Sequence, residues 1–326
     1  MSTTPRAVTF GEMLLRLSPP GDEKLFESPA LRTFFGGAEA NVAVALNHLG
    51  VQADYVTRLP ESPLGDAALD ALRREKVGTD WIARGGSRLG LYFVEPTGDL
   101  RDMRVVYDRA ESAFARIEPA DFDWPRILAG AAWFHSTGIT PALGDGPVAA
   151  LARAVACARA AHLPVSLDLN YRAALWHGRT PRPVLEPLAR QADVLIGNRD
   201  AVRALLGVDG DGDALAPRLA EQYGCGLVAI TQREILGPRE QAWSATLYDA
   251  ATKTHARSRR HVVKVLDSVG GGDCFAAGLI AALLHDQPAA HALEFGAAAG
   301  ALKLAVAGDF GRATRAEVED AVRQCT

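Results

Sequence analysis

The chain has 326 residues, 48% of them hydrophobic and 23% charged, with a formal net charge of −4. That profile belongs to a globular α/β protein with a large core and excludes long disorder, while the slight acidity gives no global attraction for nucleic acid or an acidic membrane surface. Cys157, Cys225, Cys274 and Cys325 stand far apart with no C-x-x-C pair, which argues against a zinc site or a disulfide framework, and no run approaches the length of a membrane span.

In chain order, Ala7–Gly11 reads as a buried first strand and Glu12–Leu17 as a partly exposed one, stopped by Pro19-Pro20-Gly21. Phe34-Phe35-Gly36-Gly37 then opens a helix carrying Asn41, Val42, Ala45, Leu46 and Leu49, with Gly50 at its end. Gly36 and Gly37 can offer backbone N–H groups to a ligand there, with Asn41 as a further polar contact, although small residues at a helix entry also serve packing alone. A strand over Ala53–Arg58 and an amphipathic helix over Leu64–Lys76 follow. Leu89–Val94 and Met103–Asp108 then alternate as strands about a turn at Pro96-Thr97-Gly98-Asp99. This hairpin predicts a small β appendage completed by residues 12–35, a flap able to cover a ligand, with Arg109 just past it.

From Asp121 onward strands and helices alternate regularly. Strands at Ala131–His135, Val165–Leu169, Val194–Gly197 and Leu227–Thr231 are interleaved with helices, which predicts βαβ units and a parallel sheet covered on both faces. Ligands of such sheets sit beyond the carboxyl ends of the strands. That rule singles out Ser136–Thr140, Asp168–Arg172 with Asn170 and Arg172, Asn198, Thr231–Arg233, and Gly270–Asp273. Trp243–Tyr248 is a further strand, and Arg233–Gln241 reads as a loop. The last helices are placed near Pro288–Ala307 and Thr314–Gln324. The small residues Gly296–Ala301 suit tight helix packing, or a flat ring lying against them.

The stretch Val265–Leu284 reads as a short apolar strand, a turn made by Gly270, Gly271 and Gly272, and a buried helix rich in Ala and Leu. Unpaired N–H groups of the first helical turn, approached through glycines, suit phosphate oxygens. Asp273 at the mouth of that turn adds something a mere phosphate holder does not need, namely a group to accept a hydroxyl proton. Asp is also a preferred residue at helix starts, so the turn alone leaves a purely structural reading open. No P-loop run occurs, and Phe275 stands where the third glycine of a dinucleotide fingerprint would fall.

Gly36-Gly37-Ala38-Glu39-Ala40-Asn41 near the start and Asp267-Ser268-Val269-Gly270-Gly271-Gly272-Asp273 near the end together resemble the paired signatures of the ribokinase-like (PfkB-type) carbohydrate kinases. The likeness covers essentially the whole chain, and within the family it is greatest to 2-keto-3-deoxygluconate kinases. The residues that carry it are Gly90–Phe93, Val106–Ala110, Thr137–Leu143, Asp168–Arg172 with Leu175-Trp176, and Gly308-Asp309-Phe310. The resemblance implies one ribokinase-like α/β domain over residues 1–326, a mostly parallel central sheet with helices on both faces, and a β lid formed by about 12–35 and 89–110. It further implies ATP-dependent phosphorylation of a sugar acid with Mg2+, with Asp273 as base. Gly37, Tyr92, Tyr107, Arg109, Ile139 and Arg172 would line the sugar-acid pocket, and Asp309 would touch substrate. Asn170, Arg172 and Gly270–Gly272 would face ATP, joined by Asn198 and Thr231 from the strand ends. A carboxylate substrate accounts for Arg109 and Arg172, which a neutral sugar such as fructose would not require.

Ser268 and Gly271 replace the family's usual Thr and Ala, and the Asn-x-x-Glu element is altered, since Asn198 is followed by Arg199, Asp200 and Ala201. That alteration keeps a non-catalytic sugar-binding regulator as a rival reading. No metal ligand is assigned directly. A cytoplasmic protein, homo-oligomeric through its lid edge, is expected.

Overall fold

The computed structural model describes residues 4–27, 29–95, 103–210, 212–237 and 239–324. Its first half lays down β1 (Arg6–Phe10), β2 (Leu14–Ser18), β3 (Arg32–Gly36), α1 (Ala38–His48), β4 (Gln52–Leu59), α2 (Pro63–Arg74), β5 (Ile82–Arg84), β6 (Gly90–Glu95), β7 (Arg104–Asp108), α3 (Trp124–Leu128), β8 (Trp133–Thr137), α4 (Asp145–Ala160) and β9 (Val165–Asp168). The second half adds α5 (Ala173–Trp176), α6 (Arg182–Ala189), β10 (Val194–Asn198), α7 (Arg199–Leu206), α8 (Leu215–Tyr223), β11 (Leu227–Gly237), β12 (Glu240–Asp249), β13 (Thr254–Arg257), β14 (His261–Lys264), α9 (Gly271–Leu284), α10 (Ala289–Leu304) and α11 (Arg315–Gln324).

The large sheet runs in the order β13-β12-β11-β10-β9-β8-β1-β4-β5, with β14 also on β12. Everything from β11 to β5 is parallel, and only the β12 side is antiparallel. Strands buried on both faces read as apolar runs, and Ala7, Val8 and Phe10 of β1 are fully buried. One face is covered by α1, α9 and α10, through Leu46, Phe275, Leu279 and Phe295. The other is covered by α3, α4 and α6 to α8, through Trp124, Leu151, Leu185, Leu205 and Leu219. The chain leaves β1 toward β4 on one side and toward β8 on the other, so the strand order reverses between β1 and β8. A crevice opens beyond the strand ends at such a reversal.

The four-stranded sheet β3-β2-β6-β7 uses the segments expected for the appendage. One expectation within it fails: β2 is buried, with Leu14 5% and Arg16 4% exposed. It lies between β3 and β6 and so has no open edge. The expected turn at residues 96–99 lies outside the described residues. Arg233–Gln241 is not a loop either, because β11 and β12 stay in register through Arg233↔Trp243 to Ile235↔Gln241 and form a long hairpin arm. The short apolar strand expected from Val265 does not form: β14 stops at Lys264 and pairs with the arm, and residues 265–269 reach the glycine turn without strand structure.

Helix packing accounts for the small residues of α10. A Cβ on Gly278 would stand 2.8 Å from the Cα of Gly296, and one on Gly300 would stand 2.9 Å from the carbonyl oxygen of Gly271. The run Gly296–Ala301 therefore brings α10 against α9 and holds the start of α9 in place. No described helix is long and apolar enough to cross a membrane, and Cys157, Cys225 and Cys274 are free thiols.

Candidate active site

A cavity of about 770 Å³ opens where the parallel strands end. Glu12 follows β1 into it, Ile139 follows β8, Asp168, Asn170 and Arg172 come from the end of β9, Asn198 from the end of β10, Asp200 from the first turn of α7, and Thr231 from β11. Gly37 and Asn41 enter from α1, Tyr92 and Tyr107 from the small sheet, and Gly270, Gly272, Asp273 and Asp309 from the C-terminal region, with Arg109 beside them. Two expected positions lie behind this lining. Gly36 backs onto the Asp309 carboxylate, which a Cβ there would strike, and Gly271 packs under Leu304.

The glycine turn is shorter than the three residues expected. Gly270 alone precedes α9, at φ +86°, while Gly271 and Gly272 already form its first turn. A side chain at Gly270 would strike the main-chain oxygen of Asp309, so only glycine fits. Asp273 is the third residue of the helix and is buried. Its Oδ2 accepts from Asn41 Nδ2 at 2.7 Å and its Oδ1 from Asn170 Nδ2 at 3.3 Å. Burial pushes its pKa up, and the Asn41 donor, the charge of Arg172 and the Asn170 donor oppose that shift by favouring the ionised form. Each asparagine is itself held. Gly37 N donates to Asn41 Oδ1 at 3.4 Å, and Asn170, at φ +38°, donates its own N–H to Asp168 Oδ1 at 3.0 Å.

Tyr92 donates to Asp309 Oδ2, and Arg16 Nη1 reaches Asp309 Oδ1 at 3.2 Å and Asp267 Oδ2 at 2.8 Å. The Tyr92 and Tyr107 rings stack with centroids 6.2 Å apart. Arg172 is exposed at the cavity wall and its Nη1 donates to the Tyr171 carbonyl at 2.9 Å. Asn198 caps α7, accepting from Ala201 N at 2.8 Å, and Thr231 Oγ1 donates to Gly197 O at 3.4 Å.

The model of the pfkB family carbohydrate kinases matches residues 4–311. The chain belongs to that family. A 2-dehydro-3-deoxygalactonokinase of Haloferax volcanii is 34% identical over 324 residues, covering 98% of this chain and 97% of its own. The crystal structure of a 2-dehydro-3-deoxygluconokinase from Thermotoga maritima superposes with a TM-score of 0.95 at 40% identity, covering 98% of this chain and 99% of its own. A 2-dehydro-3-deoxygluconokinase of Thermoproteus tenax is 28% identical, covering 93% of this chain and 89% of its own.

Three acids of this PfkB kinase went unassigned in the sequence reading although they line the cavity: Glu12, Glu39 and Asp168. Glu39, in the first turn of α1, accepts on Oε1 from Thr137 N at 3.0 Å, Thr137 Oγ1 at 2.7 Å and Thr140 Oγ1 at 3.0 Å. Burial raises its pKa to about 7, and burial together with the charge of Asp273 raises that of Asp168 to about 7. The folded kinase therefore holds protons that the unfolded chain releases near the ordinary carboxylate range, so stability falls as pH rises from about 4.5 to about 7. Glu39→Gln keeps an acceptor for the threonines and removes one titration. Urea unfolding of this variant between pH 4.5 and 8 is expected to show a shallower fall than wild type, with the Asp168 share remaining. An unchanged slope would show that Glu39 titrates at its ordinary value.

Proposed function

We propose that this kinase transfers the γ-phosphoryl group of ATP to the terminal hydroxyl of 2-keto-3-deoxygluconate, giving 2-keto-3-deoxy-6-phosphogluconate. The observation that carries the reading is Asp273, a buried carboxylate at a helix N-terminus, opening on the same cavity as Arg109 and Arg172. The names of the similar Haloferax, Thermotoga and Thermoproteus proteins support a keto-deoxy sugar acid as acceptor.

In this reading Asp273 takes the proton of the acceptor hydroxyl as its oxygen attacks phosphorus. The N–H groups at the start of α9 and the helix dipole stabilise the charge on the transferred group. Gly37, Tyr92, Tyr107, Ile139 and Asp309 shape the acceptor side, and Asn170, Asn198, Thr231, Gly270 and Gly272 face the nucleotide. Arg172 and Arg109 meet the carboxylate. The small sheet closes over the acceptor as a lid to one α/β kinase domain and excludes water.

A magnesium ion fits the donor set. The acids at the strand ends are hard oxygen ligands, and among the described residues no three His, Cys, Asp or Glu cluster into a dedicated metal cage. Mg2+ keeps several waters and is held mainly by phosphates with one or two carboxylates. Asp200 and Asp168 would supply these. When bound, the ion neutralises charge on the phosphates. A cytoplasmic enzyme, paired through the edge of its small sheet, completes the reading.

The test is ATP consumption by the purified chain with a panel of 2-keto-3-deoxygluconate, its galactonate epimer and fructose, with and without Mg2+. Turnover is expected on the sugar acids with Mg2+ present. Preference for fructose would overturn the substrate, and no turnover on any acceptor would favour a sugar-binding regulator.

A further inference from the structure

Arg109, proposed to meet the substrate carboxylate, already has a buried anionic partner. Glu12 is 2% exposed and Arg109 is 6% exposed. Glu12 Oε2 accepts from Arg109 Nε at 2.6 Å and from its Nη2, and Glu12 Oε1 accepts from Ser112 Oγ. Gly90 makes room for the pair, since a Cβ there would stand 2.7 Å from Glu12 Oε1 and 3.1 Å from Arg109 Cβ. The backbone of Glu12 is fixed as well: the carbonyl oxygen of Gly11 accepts from Tyr55 OH at 2.8 Å, and the carbonyl of Glu12 presses against Gly37, where only glycine leaves space.

The fork of Arg109 is thus divided. Its Nε–Nη2 edge is spent on Glu12, and among the described residues no protein acceptor is found for Nη1, although Arg109 lines the cavity. A guanidinium held by one edge on a short charge-assisted pair keeps one orientation, whereas a free arginine would sample many rotamers and lose entropy on binding. We propose that Glu12 is a positioning residue for the acceptor sugar: it locks the guanidinium of Arg109 so that the Nη1 end, and only that end, meets the substrate carboxylate. This rests on the sugar-acid reading and adds to it a residue that does not touch the reacting atoms.

The test is steady-state kinetics of the purified full chain with 2-keto-3-deoxygluconate. In Glu12→Gln the geometry persists but the charge is gone, and KM for the sugar acid is expected to rise about threefold to tenfold, with kcat and KM for ATP within about twofold. Glu12→Ala is expected to raise the same KM further. Its effect should vanish in an Arg109→Ala background, because Glu12 acts only through Arg109. An unchanged KM in Glu12→Gln, or an equal loss in kcat and in KM for ATP, overturns the proposal. So does a full further loss when Glu12→Ala is added to Arg109→Ala. If Glu12→Ala fails to fold because it strands the Arg109 charge, the Glu12→Gln result and the double variant decide. Wild-type turnover of the sugar acid tests the functional reading separately, so the two cannot fail unnoticed together.

Discussion

Replacing Asp273 with asparagine is expected to lower kcat by about 10² to 10⁴ while KM for ATP and for the acceptor change only a few-fold. The size of the effect follows from what the carboxylate does and what the rest of the site keeps. The helix N-terminus, the Gly270 turn and the proposed acceptor contacts survive the substitution, so positioning remains and only proton acceptance is lost. Both neighbours of Asp273 are donors, Asn41 at 2.7 Å and Asn170 at 3.3 Å. The new amide must therefore turn its N–H₂ toward one of them, and the longer contact to Asn170 is the one to yield. That local loss is opposed by the removal of a buried charge, so the melting temperature is expected to stay close to wild type. An Asp273→Asn enzyme with wild-type kcat would remove Asp273 from the role of base.

The same geometry sets a pH dependence. A base acts in its ionised form, and burial raises the pKa of Asp273, so kcat/KM is expected to fall with decreasing pH at a point above the ordinary carboxylate range. The Asn41 donor favours the ionised form. Asn41→Ala should therefore move that acid limb to still higher pH in a pH–rate profile, and a shift in the other direction would contradict the assignment.

What the sequence made legible was local. Glycines before a helix, an acid in its first turn and residues just beyond strands are short-range signals, and they located Gly270, Asp273, Asn170 and Arg172 on the rim of one cavity. What stayed hidden was pairing over distance. Glu12 and Arg109 are 97 positions apart, and Arg16 and Asp309 are 293 apart. A charge inside an apolar strand reads as surface until its partner is known, which is why β2 was expected to be partly exposed. A usable signal was present nonetheless: Glu12 and Arg16 bracket Met13, Leu14 and Leu15, and a charge in such a run needs a buried counter-charge. The arm formed by β11 and β12 was missed for a related reason. Residues 232–236 are exposed and lack the apolar face that marks a strand, and their pairing with β12 holds them extended.

Arg16→Met is expected to cost about 3 to 5 kcal/mol of stability, because it strips two buried carboxylates of a shared counter-ion. The Arg16 side chain is 5% exposed and those of Asp267 and Asp309 are 10% and 1% exposed. Asp309 has its pKa raised to about 6 by burial, with Arg16 pulling it back down. Between the ordinary carboxylate range, about 4, and this value the folded state binds the extra proton, so stability falls as pH rises through that window. Without Arg16 the folded pKa rises further and the fall continues to higher pH. Urea unfolding should accordingly show a large deficit in the variant at pH 8 that shrinks toward pH 5, where Asp309 is protonated; an equal deficit at both values would mean that lost packing, not charge, explains the effect. The variant should also lose kcat. Asp267 uses the oxygen that binds Arg16 to hold Gly308 N at 3.0 Å, and its other oxygen to hold Val269 N at 3.1 Å. The carbonyl of Asp309 packs against Gly270. Arg16 thus ties the small sheet to the Gly270 turn at the start of α9, and releasing it loosens the sheet and that turn together.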